Sequence, residues 1–245
     1  ECASTVRNQA NAVTAHSTAA KDYLMERGLA QEKIKVIPVG VDTKLFKPLR
    51  NSDLRVRLGI KSSDIVILNV GRLHPYKGQR LLIEAFKRVR QMLENVKLLI
   101  VGRGFLKENF TRLIEGLKLQ NDVFLIDEAY PNDVMPSIYA NCDIFCLPSL
   151  VEPFGIAVLE AMACGKPVIG TKVSGMLETI AYGKVGFLVN PNDVDGLSAR
   201  LMDLALDEAL RNRLGGNALK RAKTVFDWDI IIKEYLAIYE RLTGS

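Results

Sequence analysis

A doubly wound α/β domain around a parallel sheet is the fold this sequence predicts, and three observations predict it. Short apolar runs recur from residue 65 onward: IVILNV (65–70), VKLLIV (96–101), DVFLI (122–126), DIFCLP (143–148), PVIG (167–170) and GFLV (186–189). Their apolar residues are consecutive, not alternate, as in strands covered on both faces. Helical patterns separate the runs, and strands alternating with helices join through right-handed crossovers into a parallel, Rossmann-like sheet.

The chain opens differently. AVTA (12–15) reads as a strand, Ser17 as the cap of a helix over 18–27 that stops at Gly28, and KIKVIPVGV (33–41) as a second strand. One βαβ piece is too small to hold its own core. Residues 1–48 therefore read as the tail of a preceding domain. Lys47-Pro48 and the polar stretch Arg50 to Asp53 read as a linker into a complete domain over 49–225. Within that domain Leu81, Leu82, Ala85, Phe86, Val89 and Met92 recur at spacings of three and four, which predicts an amphipathic helix over 77–94. Further helices are expected over 105–117, 131–140, 155–164, 175–181, 193–206 and 207–224. A last one, over 228–242, falls in a C-terminal segment 226–245. Such an organisation suggests a fragment or half of a split protein.

At 245 residues, 48% hydrophobic and 25% charged, the chain can bury a sizeable core. Its net charge of +5 fits a solvated basic surface, an anionic ligand or an acidic membrane surface. There is no run of five basic residues and Trp228 is the sole tryptophan, so nucleic acid is not an expected partner. Cys2, Cys142, Cys146 and Cys164 include no CxxC pair, which argues for a reduced, cytoplasmic setting and against a zinc site. Cys142 and Cys146, four apart around a strand, are expected to share one face. No segment reaches the roughly 18 apolar residues of a membrane span, and peripheral membrane contact stays open.

Residues 148–170 read PSLVEPFGIAVLEAMACGKPVIG and raise a question about two glutamates. Pro153 disfavours helical dihedrals at Glu152, so Glu152 belongs to a loop and a helix begins near Gly155. Without a side chain at Gly155, the first amides of that helix can meet a phosphate. Glu160 sits among Leu159, Ala161, Met162 and Ala163, either facing a cleft or paired on the surface with a cation such as Lys166. A glycosidase pair needs carboxylates roughly 5–10 Å apart, whereas eight helical residues rise about 12 Å. Arg72 and Lys77 in NVGRLHPYKG (69–78) follow a strand at its carboxyl end, where ligands bind in open α/β sheets. A guanidinium fork and an ammonium both suit phosphate oxygens. A nicotinamide-dependent oxidoreductase is not supported, because no GxGxxG follows the first strand of either unit.

VIPVGVDTKLFKP (36–48), NVGRLHPYKG (69–78), VGRG (101–104) and EPFGIAVLE (152–160), in that order on βα units, form a specific set. From about Thr14 to Tyr239 the chain resembles the retaining glycosyltransferases of family 4, the glycosyl transferases group 1, whose GT-B fold joins two Rossmann-like domains. It covers the donor-binding domain and only the tail of the acceptor domain, toward which the family's terminal helix crosses back.

The resemblance implies a hexosyltransferase that uses a UDP- or GDP-linked sugar, retains the anomeric configuration, and needs no metal or other cofactor. It places Gly71, Arg72 and Lys77 at the diphosphate and Glu152 at the donor sugar's hydroxyls. Backbone around Phe154, Gly155, Ile156 and Ala157 would hold sugar and phosphate, and Glu160 would accept from the ribose diol. Arg72, Lys77 and Glu152 are the implied catalytic set. Gly102 would let its turn approach the donor, and backbone near Ile126 and Asp127 would meet the base, although the family usually has glycine where Asp127 stands. Glu178 is either a cleft residue or a plain helix-start glutamate. His74 reads as structural, solvent-exposed or a minor phosphate contact, and His16 lacks the motif context of the family's catalytic histidine. The acceptor (a sugar, a glycan or a lipid-linked molecule) would be met by the absent domain or a partner chain. The alternative is a non-catalytic nucleotide-sugar-binding module, or a split half that needs that partner.

Overall fold

A computed structural model describes residues 9–244, apart from the side chain of Tyr182. Six parallel strands carry the larger sheet: β3 (Ile65–Val70), β4 (Val96–Val101), β5 (Val123–Ile126), β6 (Ile144–Leu147), β7 (Val168–Thr171) and β8 (Gly186–Val189). Their spatial order is β5-β4-β3-β6-β7-β8, which is 3-2-1-4-5-6 counted within the sheet, the doubly wound order of dinucleotide-binding domains. Two buried clusters line its faces. Ile144 and Cys146 of β6 point into one and Phe145 and Leu147 into the other, as strand alternation requires. Cys142 does not share the face of Cys146. It precedes the strand, outside the pleat, and packs in the opposite cluster.

Before this sheet, β1 (Val13–Ala15) pairs in parallel with β2 (Ile34–Val36) around helix α1 (Thr18–Glu26). Ser17 caps α1 by accepting from the amide of Ala20, and Gly28 beyond it is left-handed at φ 83°. The strand expected over 33–41 ends at Val36 for two reasons. Pro38 has no amide to donate. The chain then finds a new partner, with the Val41 amide 2.7 Å from the Phe226 carbonyl and the Trp228 amide 3.2 Å from that of Val41. Gly40 is required here, since a Cβ would stand 2.5 Å from the Trp228 ring.

The polar stretch read as linker runs into a short helix, α2 (Asp53–Arg57). Five residues carry too little periodicity to be read from sequence, and a tertiary anchor holds them. Arg55 donates to the carbonyls of Asn141 and Asp64 and to the Asp143 carboxylate, at 2.7–3.0 Å.

The crossover helices are α3 (Gln79–Met92), α4 (Lys107–Gly116), α5 (Met135–Ala140), α6 (Ile156–Ala163) and α7 (Met176–Thr179). After β8 follow α8 (Val194–Leu206), α9 (Glu208–Val225) and α10 (Trp228–Thr243). Helix α10 lays Ile231 and Ile238 on Ile37 of the N-terminal piece, beside Ala12 and Tyr235. Its other face leaves Trp228, Ile232, Leu236, Tyr239 and Leu242 exposed.

Candidate nucleotide-sugar site

Strands β3 and β6 flank the point where the chain reverses its winding. They pair only at Ile67 with Ile144 and Leu68 with Phe145, then diverge toward their carboxyl ends. Asn69, fully buried, spans the widening gap by donating to the Cys146 carbonyl at 2.7 Å. Its own side-chain oxygen has no partner among the described residues. The strands thus open a crevice at the topological switch point, the position where ligands enter such sheets.

Two loops wall this crevice, 71–78 after β3 and 148–155 after β6, and they are fastened to each other. The Leu150 amide donates to the Tyr76 carbonyl at 2.7 Å. Gly78, left-handed at φ 70°, lies so close to Pro148 that a Cβ would stand 2.0 Å from its carbonyl oxygen. The space between is about 940 Å³. The first loop contributes Gly71, Arg72, His74 and Lys77, and the second contributes Glu152 through Gly155, followed by Ile156 and Ala157 of α6.

Within it, the Lys77 ammonium donates to Glu152 Oε2 at 2.6 Å and the Ser149 hydroxyl to the same oxygen at 3.1 Å. Glu152 Oε1 has no partner among the described residues. The pair is partly sheltered, with 28% of the Lys77 side chain and 8% of the Glu152 side chain exposed. The Arg72 guanidinium is exposed and unpartnered among the described residues, while its backbone carbonyl is held by Gln79 at 2.9 Å. Gly155, at φ 87°, turns the chain into α6, and no side chain caps that helix. Its first amides and its positive dipole end therefore face the crevice beside Arg72 and Lys77.

Glu160 does not line the crevice wall itself. It sits on α6 one turn beyond Ile156 and Ala157, which do line it. The hydroxyl of Tyr139, a fully buried residue, donates to Glu160 Oε2 at 2.6 Å. Burial raises the pKa of Glu160 above the ordinary glutamate value, and the tyrosine hydrogen bond works in the opposite direction. No ion pair joins Glu160 to Lys166, whose ammonium instead donates to the Cys142 carbonyl at 2.7 Å.

Three other expected contacts lie beyond this wall. Gly102 meets the neighbouring loop: its φ is 147°, and a Cβ there would stand 2.1 Å from the Gly71 carbonyl oxygen. The space this glycine provides is filled by the β3 loop itself. Ile126 accepts from the Gly102 amide at 3.0 Å, and Asp127 pairs with Lys107 at 2.9 Å. These groups occupy the same carboxyl edge one or two strands away.

The structure gives roles to groups that the sequence left open or unread. His16 and Val39, from the N-terminal piece, line the crevice opposite the two loops. His16 Nδ1 lies 3.2 Å from the Ile37 carbonyl, which makes that nitrogen the donor and leaves Nε2 as an acceptor in the neutral ring. Glu178 joins the same two regions, accepting from the Thr18 amide at 2.7 Å. His74 lines the crevice, accepts from the Tyr76 amide at 3.3 Å, and sets its ring at a tilt against Tyr76 and perpendicular to Phe105. Ser149, Gln79 and Tyr139 carried no signal of their own, and Asn69, although it opens the 69–78 motif, gains its role only through Cys146 on another strand.

The family model described as "Glycosyl transferases group 1" matches residues 51–221. The chain belongs to that family. Among curated proteins, this group 1 glycosyltransferase is 32% identical over 231 residues to the MMP alpha-(1->4)-mannosyltransferase of Mycolicibacterium hassiacum, covering 94% of the chain and 53% of the relative. Mannosylfructose-phosphate synthase of Agrobacterium fabrum is 31% identical, with 91% of the chain and 51% of the relative covered. The chain thus spans about half the length of the curated relatives it matches. Among solved structures, Anabaena Alr3699/HepE in complex with UDP-glucose superposes at a TM-score of 0.85 with 29% identity, covering 99% of this chain and 66% of that one. Sucrose-phosphate synthase from Thermosynechococcus elongatus does so at 0.85 and 28% identity, over 99% and 60%. The fold is that of GT-B glycosyltransferases.

Proposed function

We propose that these residues form the donor-binding portion of a retaining hexosyltransferase that takes its sugar from a UDP- or GDP-linked donor. One observation carries the reading: Arg72, the Lys77–Glu152 pair and the uncapped start of α6 meet in a single crevice. Cleavage of the sugar C1–O bond leaves negative charge on the departing diphosphate. A free guanidinium, an ammonium and a helix N-terminus are the groups that stabilise such charge, so the protein itself supplies what a divalent metal would otherwise provide. Glu152 engages Lys77 and Ser149 through one oxygen, and its Oε1 is the acceptor for a donor-sugar hydroxyl. Glu160, clamped on one side by Tyr139, likewise offers Oε1 to the ribose diol one turn deeper. In the retaining step the acceptor oxygen bonds to C1 on the face the diphosphate leaves, and a diphosphate oxygen takes the acceptor proton. The complex of Alr3699/HepE with UDP-glucose supports a nucleotide-sugar donor.

Residues 9–48 and α10 belong, in this reading, to the acceptor half, whose remainder meets the exposed apolar stripe of α10. Thermal-shift measurements with UDP, GDP and ADP and their hexose conjugates, with and without EDTA, test the donor assignment. A rise in Tm with UDP- or GDP-sugar that EDTA leaves unchanged is expected. No shift with any nucleotide would sink it, and strict dependence on manganese would sink the metal-free part.

A further inference from the structure

The turn 181–185 that feeds β8 faces helix α9 across a groove of about 520 Å³. Its floor is apolar, made by Val185, Leu214 and Val225. Around the floor stand Lys184, Arg213, Lys220 and Arg221, and no carboxylate lines the groove among the described residues. The first three are exposed, and none of their side chains has a carboxylate partner among the described residues. Arg221 is half-buried. It donates to the carbonyls of Glu178 and Thr179 at 2.8 and 3.2 Å, and its guanidinium lies 5.1 Å from the centre of the Phe226 ring. Those partners orient the cation without neutralising it, and burial lowers its pKa. Four uncompensated cations around a concave surface are costly to hold together, and an anion seated among them offsets that cost.

We infer that this groove docks the headgroup of an acidic phospholipid at a membrane surface. The number of cations decides between that ligand and a free phosphate. One inorganic phosphate cannot neutralise all four, whereas an anionic bilayer presents a headgroup to the groove and further negative charge to the exposed Lys184, Arg213 and Lys220 around it. The groove and the nucleotide-sugar crevice share no lining residue, so occupation of one leaves the other open.

The test is co-sedimentation of the chain with vesicles of phosphatidylcholine, alone or with about 30% phosphatidylglycerol. Binding is expected only to the mixed vesicles. The variant Lys184→Gln/Arg213→Gln/Lys220→Gln, altered only at exposed positions, should lose about 100-fold in partition, as about 1 kcal/mol for each surface cation implies. A control variant, Lys47→Gln/Lys61→Gln/Arg112→Gln, removes the same charge elsewhere and should keep most of the binding. Equal losses in the two variants, unchanged binding in the groove variant, or retention on an acidic protein or nucleic-acid resin in place of the vesicles would overturn the assignment.

Discussion

The loop that carries Glu152 and the helix that carries Glu160 are consecutive in the chain, and each holds a carboxylate by a different means. Glu152 is kept by charge, with an ammonium at 2.6 Å and a second cation, Arg72, on the same wall. Glu160 is kept without a charged partner, by a buried phenol and the apolar body of α6, and burial raises its pKa against the lowering effect of the phenol. In both, one oxygen is engaged and the other has no partner among the described residues. The difference matches the two ends of the proposed donor. Charge develops on the diphosphate during reaction, where positioned cations do the most. The ribose stays neutral, where a fixed acceptor is enough.

The largest expected effect strikes the charged side. Arg72→Ala or Lys77→Ala in an intact enzyme should lower kcat by about 10²–10³, the scale of losing one donor to developing charge. The two variants should differ in stability. Lys77→Ala leaves Glu152 nearly buried with Ser149 as its one remaining partner and should lower Tm, whereas Arg72→Ala, which breaks no bond, should not. Equal turnover in wild type and both variants would remove these residues from the chemistry.

A smaller effect belongs to the buried side. Glu160→Ala should weaken UDP or GDP binding about 10-fold or more in calorimetry, the scale of hydrogen bonds to a charged group. Because the carboxylate is the binding form, affinity should fall as pH drops through the raised pKa of Glu160. Tyr139→Phe removes the bond that lowers that pKa, so the acid limb should move to higher pH. Cys142 and Cys164, the other titratable groups acting on Tyr139, are pushed up to about 12 and stay neutral across that range. An unmoved acid limb would deny Tyr139 its positioning role, while unchanged affinity in Glu160→Ala would deny the ribose contact itself.

The smallest effect concerns stability. A carboxyl whose folded pKa exceeds its unfolded value binds more protons in the folded state, so stability falls as pH rises from the unfolded value through the folded one. Glu160→Gln should therefore raise Tm above that window and leave it unchanged below. The gain should be a few degrees, given roughly 2–4 °C per kcal/mol for a chain of this size. A lowered Tm at neutral pH would show that the Tyr139 bond outweighs desolvation.

Most of the sheet was legible in the sequence because its strands are continuously apolar and its helices periodic. Both signals are local and repeat over enough residues to be read. The early end of β2 and the short α2 were not legible, since the first depends on Val41 finding residues 226–228 and the second on Arg55 finding residues 64, 141 and 143. The same holds in the candidate site. Arg72, Lys77, Glu152 and the start of α6 stand out as motifs beside strand ends. His16, Ser149 and Tyr139 have unremarkable neighbours in sequence and acquire roles only through partners on other elements.

By itself, then, the sequence determined the alternation of strand and helix, the doubly wound class and the cationic and acidic residues at two strand ends. Residue type and spacing act within a few positions along the chain, and that is enough for each of these. Only the tertiary structure decided that Lys77 and Glu152 meet, that Glu160 is held by Tyr139 one turn below the wall, that Gly102 makes room for Gly71, and that β1 and β2 bring His16 to face them. Each is a contact between residues far apart in the chain, and close packing selects such contacts from many that the local pattern allows.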